Sequence, residues 1–334
     1  MYCNICHSDA VSRVGSIQGY RKDTFFAVFE CQACESSTVD PCESDDKLYD
    51  AIYENVARVP GYARYHMLAQ ELHHARDPLT YIADTEECYW AITKTLSEKV
   101  SDKSQSRICD VGCGQGYLTY SLVRAGFNST GVDISAKAIA LARTHYGNHY
   151  FCGRINDFIR TNDRPDIIVA TELIEHLEQP VEFVSDMLGV LNHDGILALT
   201  TPNKLGHTGV IWDTELPPVH LWWFSKRGLV AIAKELSCKI DFVDFTEFYR
   251  KNPRYHLRKQ STVKERMPVF DDQYQLIQST SAGGKLRSLK RTLKEFLPTS
   301  VVRKVQRLRA GDAYANEVSN STSGTIGAVF TKST

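Results

Sequence analysis

The stretch "RICDVGCGQGYLTYSL", Arg107 to Leu122, sets an acid, Asp110, two residues ahead of three closely spaced glycines, Gly112, Gly114 and Gly116. An apolar run that ends in glycines and turns straight into a helical pattern cradles a ligand at the C-terminal end of a strand. The dinucleotide spacing G-x-G-x-x-G does not fit, because the third glycine comes one residue early. No Lys-Ser/Thr follows, as a triphosphate loop requires. Asp110 points the same way: a carboxylate there repels a pyrophosphate and suits a cationic ligand.

S-adenosylmethionine carries an ammonium, a sulfonium and no phosphate, so it matches both the glycines and Asp110. Glycines allow the backbone close to its methionyl part. In "GVDIS", Asp133 and the adjoining Ile134 lie at the C-terminal edge of a second strand-like segment. A carboxylate at that point accepts hydrogen bonds from both ribose hydroxyls. In "RINDF", Asp157 follows a third such segment and is a candidate for the adenine amino group or, alternatively, a cap of the next helical turn. Glu172, just past the fourth, is a candidate wall of the methyl-donor pocket.

Cysteines form the second constellation. Cys3 and Cys6, then Cys31 and Cys34, make two C-x-x-C pairs. Thiolates at this spacing hold one tetrahedral zinc ion, a closed and therefore structural site. The gap between the pairs exceeds the usual range but leaves room for a hairpin, "VSRVG" and "TFFAVFE". A segment of this size buries little core alone, and metal would replace it. His7 and Cys42 stand by as spare ligands. Cys109, Cys113 and Cys152 read as small residues of apolar strands.

The elements that must position these groups are legible from periodicity. From residue 107 near-continuous apolar segments ("RICDVG", "STGVDI", "HYFCGRI", "PDIIVAT", "GILALTT", "KIDFVDFTEF", "TIGAVFTK") alternate with helical patterns at Gln115–Ala125, Ala136–Tyr146, Asn156–Arg160, Pro180–Leu191 and Ser225–Leu236. That alternation predicts an α/β fold with a Rossmann-like, doubly wound sheet. The expected division is a zinc-ribbon-like module at 1–42, a helical cap or linker at 43–106, the core at 107–249, a basic helical insertion at 250–322 and a last core strand at 323–334.

The ordered motifs "DVGCGQG", "GVDIS", "PDIIVATELIEHLEQP" and "LNHDGILALTTPN" resemble those of class I S-adenosylmethionine-dependent methyltransferases over residues 107–247. The flavour is that of the ubiquinone-pathway O-methyltransferases, with their "EHL" turn after the fourth strand. The four-cysteine module ahead of the core is similar to the zinc-ribbon-bearing methyltransferases of sugar biosynthesis. The resemblance implies seven strands with the last antiparallel, and S-adenosylmethionine-dependent methylation of a hydroxyl on a small-molecule acceptor, a sugar or glycan intermediate. C-methylation of a keto-sugar nucleotide is the alternative, and a non-catalytic methyltransferase-fold binding module another.

An alcohol must lose its proton as it attacks the methyl carbon, so a base is sought near the donor. His176 in "ELIEHLEQP" is the candidate base, against a packing or capping role. His220 in "LPPVHLWWFS" is its rival and the candidate acceptor-positioning group. Trp222, Trp223 and Phe224 beside it either stack on the acceptor or anchor the loop.

The chain of 334 residues has a net charge of −1, which selects no partner. Its basic residues concentrate in 250–310. There Leu286, Leu289, Leu293 and Phe296 form a helical stripe flanked by Lys285, Arg287, Lys290, Arg291 and Lys294. A basic helix over 285–309 reads as a peripheral membrane contact or partner docking, or equally as a lid or a homo-oligomer arm packed on its own domain. Nucleic acid is not an expected partner, since no recognition module is present. No apolar run approaches the roughly 20 residues of a bilayer span. "MYCNICHSDA" lacks a basic-then-apolar export signal, so a cytoplasmic protein with reduced thiols is expected.

Overall fold

The computed structural model describes residues 2–59, 61–204, 216–252, 268–277 and 323–333. The basic helix expected at 285–309 lies outside the described residues. In chain order the elements are β1 (Val11–Gln18), β2 (Phe25–Cys31), β3 (Ser37–Asp40), α1 (Asp46–Glu54), α2 (Ala63–Leu72), α3 (Pro78–Ala83), α4 (Glu87–Lys99), β4 (Arg107–Val111), α5 (Tyr117–Arg124), β5 (Asn128–Asp133), α6 (Ala136–Tyr146), β6 (Tyr150–Cys152), α7 (Ile155–Phe158), β7 (Ile167–Thr171), α8 (Pro180–Val190), β8 (Ile196–Pro202), β9 (Trp222–Trp223), α9 (Lys226–Glu235), β10 (Cys238–Phe242), α10 (Thr246–Lys251) and β11 (Thr325–Lys332).

Seven strands form one sheet in the order β10-β11-β8-β7-β4-β5-β6. The pairs among β4 to β8 are parallel, and β11 runs antiparallel to both β8 and β10. The doubly wound α/β sheet with an antiparallel last strand is the expected one. Its central strands are buried on both faces, which is why β7 and β8 read as unbroken apolar runs. Winding proceeds outward from β4 in two directions, to β5 and β6 on one side and to β7 and β8 on the other. The crevice at the C-terminal end of β4 is therefore the topological switch point where such sheets bind ligands.

Local chemistry fixes the helix starts. Ser135 and Ser225 cap α6 and α9, their hydroxyls accepting from Ala138 N at 3.2 Å and Gly228 N at 3.0 Å. Pro180 opens α8 at a position where no amide donor is needed. The sixth expected strand is shorter than "KIDFVDFTEF": β10 stops at Phe242, because Asp244 accepts from Thr246 N at 2.8 Å and starts α10. Glu87 of α4, fully buried, ties α10 to β11 by accepting from the Tyr249 hydroxyl and from Thr325 Oγ1.

The N-terminal hairpin does not stand alone. It belongs to a second sheet, β1-β2-β3-β9, whose fourth strand comes from the loop after β8. Ser37 and Thr38 pair with Trp223 and Trp222. Trp222, Trp223 and Phe224 are buried in the apolar core that Ile5, Phe26, Val28 and Val39 share with β7 and β8. These aromatics anchor the loop and do not stack on an acceptor. Lys204, at the end of β8, adds a nearly buried ion pair to Glu30, 2.5 Å away, and donates to the Glu35 carbonyl.

Candidate active site

A cavity of about 910 Å³ opens at the C-terminal end of β4, lined by residues from α1, α2, the β4–α5 loop, the end of β5 and the turns after β6 and β7. One half is built by the glycine loop. Gly112 N and Cys113 N both donate to the Val132 carbonyl, so the loop folds back over β5. Gly112 has φ +72, and a Cβ there would lie 2.7 Å from Leu173. Gly114 N donates to Asp133 Oδ2 at 2.9 Å, and Ser135 N to Oδ1 at 2.8 Å. Each Asp133 oxygen is thus held by one amide and keeps lone-pair capacity toward the cavity. Ile134 beside it is an apolar side chain left 73% exposed at the cavity lip, a flat surface for a heterocycle.

Asp110 lies beneath the loop, 1% exposed. Oδ2 accepts from Thr119 Oγ1 at 2.7 Å, while Oδ1 is buried with no hydrogen-bond partner among the described residues. Burial pushes its pKa up to about 7, the Thr119 bond opposing and the nearby Asp133 charge adding to the rise. A cationic group arriving in the cavity would supply the missing partner.

The other half gathers side chains from distant elements. After β7 the chain turns at Glu172, which has a left-handed φ of +50, and enters a single 3-10 turn, Ile174–His176. His176 Nδ1 lies 2.7 Å from the Val219 carbonyl, which only accepts, so Nδ1 carries the hydrogen. The Tyr49 hydroxyl sits 3.1 Å from the same nitrogen. Nε2 lies 3.7 Å from Glu175 Oε1, and the ring also bonds the Glu172 backbone. The His220 ring stands edge-on at 4.5 Å between centroids, and its Nδ1 is buried with no partner among the described residues. Burial drives His176 down to about 4 and lowers His220 as well, so both rings are neutral at physiological pH. Tyr49, Tyr53, Tyr62, Tyr65, Tyr89 and Tyr117 line the same space, and burial keeps their phenols protonated.

The four N-terminal cysteines converge. Cys3 and Cys34 sulfurs are 3.7 Å apart, Cys6 and Cys31 3.5 Å, and all four lie within 4.8 Å of one another. A tetrahedron with Zn–S bonds of about 2.3 Å has edges near ~3.8 Å, so the thiols have the spacing of a zinc knuckle pair. His7 instead faces Glu235, and Cys42 takes a contact from Thr38.

Of the residues singled out from sequence, Asp110, Gly112, Gly114, Asp133, Ile134, Glu172, His176 and His220 line one cavity. Two do not. Gly116 is the left-handed N-terminal residue of α5, φ +81, where a Cβ would meet Tyr150 at 2.5 Å. It shapes the helix entry behind the cavity wall. Asp157 points away and pairs with Arg160 at 3.3 Å; its neighbours Arg154, Ile155 and Asn156 line the cavity in its place. Sequence reasoning passed over Glu175 and the tyrosines. The acid-rich spacing Glu172, Glu175, His176 was the available signal for the first. The aromatic density of residues 43–100 was the signal for the second.

Comparison with known proteins matches residues 81–242 to the model of a methyltransferase domain. A ubiquinone biosynthesis O-methyltransferase of Actinobacillus pleuropneumoniae serotype 5b is 28% identical over 119 residues, covering 33% of this chain and 51% of that one. The Nitrosomonas europaea protein of the same name is 27% identical over 142 residues, 41% of this chain and 60% of that one. The chain spans about half the length of such curated relatives. A solved S-adenosylmethionine-dependent methyltransferase from Archaeoglobus fulgidus superposes with a TM-score of 0.40 at 14% identity, over 72% of this chain and 93% of that one.

Proposed function

We propose that this chain, whose residues 81–242 are a methyltransferase domain of the class I S-adenosylmethionine-dependent kind, transfers a methyl group from that cofactor to a hydroxyl of a small-molecule acceptor. One observation carries the reading: Asp133, clamped by two loop amides, and Asp110, with a buried unpartnered oxygen, face one cavity across the glycine loop. Asp133 suits the ribose diol, Asp110 the cationic methionyl end, and Ile134 the adenine face. The cofactor supplies a methyl on a sulfonium. The chain's own task is to hold the acceptor oxygen in line with the carbon–sulfur bond and to exclude water from it.

The tyrosine-lined half of the cavity suits a ring-bearing acceptor, stacked or hydrogen-bonded through phenol hydroxyls. The names of the relatives favour a phenolic ring, and the cysteine module favours a sugar or glycan intermediate. His176 and His220 stand where the acceptor hydroxyl would lie. An imidazole at about 4 is a weak base for an alcohol, so proton removal needs more than His176 alone. Cys3, Cys6, Cys31 and Cys34 hold one structural zinc ion in this reading, and metal analysis should return one zinc per chain.

Titration with S-adenosylhomocysteine tests the cofactor assignment. Calorimetry should give one site per chain, with affinity reduced at least tenfold by Asp133→Ala. A chain that binds no S-adenosylhomocysteine is not this enzyme.

A further inference from the structure

The segment from Pro217 to Trp222, which carries His220 into the cavity wall, hangs between two supports. One is the N-terminal sheet. Tyr20 N donates to the Pro217 carbonyl at 3.0 Å and Val39 N to the Leu221 carbonyl at 3.2 Å. The Thr38 hydroxyl, 3.7 Å from Cys42 Sγ, reaches that same Leu221 carbonyl at 3.1 Å. The other support is the turn after β7. Leu221 N donates to the Glu175 carbonyl at 2.9 Å, and the Trp222 indole to the Leu177 carbonyl at 2.9 Å. His176 meets the Val219 carbonyl from the same side. Leu221 thus gives its carbonyl to the module and its amide to the turn, one residue after His220. Beyond β9 the chain reaches β8, where the Phe224 carbonyl accepts from Lys204 N at 2.9 Å.

The module's hold on this strap begins at its second cysteine pair. The Cys34 carbonyl accepts from Ser225 Oγ at 2.5 Å, and Ser36 Oγ accepts from Ser225 N at 3.2 Å. Ser36 is packed so closely here that a Cβ on Gly228 would lie 2.1 Å from its hydroxyl oxygen. β3 starts directly after Ser36, so the knuckle and the strand edge that grips Leu221 share one short run of chain. β1 is largely exposed, and a hairpin that buries so little keeps its shape through a bound metal rather than a core. The donor half needs none of this. Asp110 is bonded to Thr119, and Asp133 to the amides of Gly114 and Ser135, all within the core sheet's own loops.

We propose that the N-terminal module is the positioning element of the acceptor half. Thr38 acts on His220 through Leu221, and an ion held by Cys3, Cys6, Cys31 and Cys34 fixes the strand that carries Thr38. Metal occupancy then governs the acceptor half and leaves cofactor binding alone. A chain stripped of the ion keeps its cofactor and loses the wall against which its acceptor rests. The inference rests on the methyltransferase reading, because it takes the two halves as sites for two ligands.

Hydrogen exchange of the full chain, read by mass spectrometry beside calorimetry with S-adenosylhomocysteine, tests it. Thr38→Val keeps the shape of the side chain and removes its hydroxyl. Exchange over 217–223 and over 174–178 should quicken about three- to tenfold, as expected for one lost hydrogen bond. The glycine loop should exchange as before, and S-adenosylhomocysteine affinity should hold within about twofold, since the two sites share no partner. Thr38→Ser should restore the protection. Removing the metal with a chelator should open the same two segments by roughly a hundredfold, again without loss of S-adenosylhomocysteine binding. Thr38→Val exchange equal to wild type overturns the part given to Thr38. A turn at 174–178 that stays protected while 217–223 opens overturns the coupling. Cofactor affinity lost together with the metal, or a glycine loop that opens equally, overturns the proposal, because the module would then support the whole fold. The chelator experiment decides the matter even where Thr38→Val does not fold. Failure of S-adenosylhomocysteine to bind the untreated wild-type chain would strike the methyltransferase reading instead, whatever exchange shows.

Discussion

The two halves of the cavity are built in opposite ways. The donor half comes from one short run of chain, β4, its glycine loop, α5 and the end of β5, with Asp110 and Asp133 bonded to neighbours in that run. The acceptor half takes Tyr49 from α1, His176 from the turn after β7 and His220 from the loop before β9, held together by the Val219 carbonyl. A local motif places its groups through backbone geometry, and its chemistry follows from residue order. A convergent site depends on how separate elements dock, and each contact is specific to this chain. The first half can serve one cofactor across many proteins, while the second is where an acceptor is chosen.

If the halves are separable, His176→Ala should cut turnover about a hundredfold or more and leave S-adenosylhomocysteine affinity nearly intact. A parallel loss of affinity in calorimetry would mean the halves are one unit. Asp133→Ala should do the converse. It removes two charge-assisted bonds of roughly 1.5–3 kcal/mol each from the ribose, for at least a tenfold loss of cofactor affinity. The acceptor's Michaelis constant should stay within a small factor at saturating cofactor.

Asp110 gives the donor half a pH signature opposite in sign to that of the acceptor half, where the lowered pKa values of His176 and His220 take stability away as pH falls. Its folded pKa is raised to about 7 by burial, so between pH 4 and 7 the folded state binds the extra proton. Its contribution to stability therefore falls as pH rises through that window, and levels off above 7. A cationic ligand needs the ionised form. S-adenosylhomocysteine affinity should thus climb from pH 6 to pH 8, by close to tenfold per unit at the acid end, and Asp110→Asn should flatten the profile. The smallest effect is expected behind the wall. Gly116→Ala forces a Cβ onto Tyr150 and Ala142 at a left-handed φ, and should cost about 1–3 kcal/mol, read as a lowered Tm.

Legibility follows the same division. The strand run, the glycine spacing and the acids at strand ends are periodic or contiguous, so the doubly wound sheet and the residues gathered at the end of β4 could be read from the chain. Asp157 was misplaced because a helical turn of four residues decides which way its side chain points, and Asn156 took the cavity side. For Trp222 and Trp223 the sequence left stacking and loop anchoring open; they anchor the loop, as a strand. Nothing in their own sequence says that β3 pairs with them, since that contact joins parts of the chain far apart. Glu175 was hidden for a similar reason, as its carboxylate is placed by Thr201 of β8 and its carbonyl by Leu221, both distant along the chain.

The pairing of Thr38 with Trp222 also bears on how the protein is made. During synthesis β3 leaves the ribosome roughly 180 residues before its partner, an interval of about 10–40 s at usual elongation rates. Through that interval the nascent hairpin shows an unpaired strand edge, the kind of surface that invites another chain. Its four thiols are already in place, so the knuckle can close early, while the edge stays open until the loop after β8 arrives.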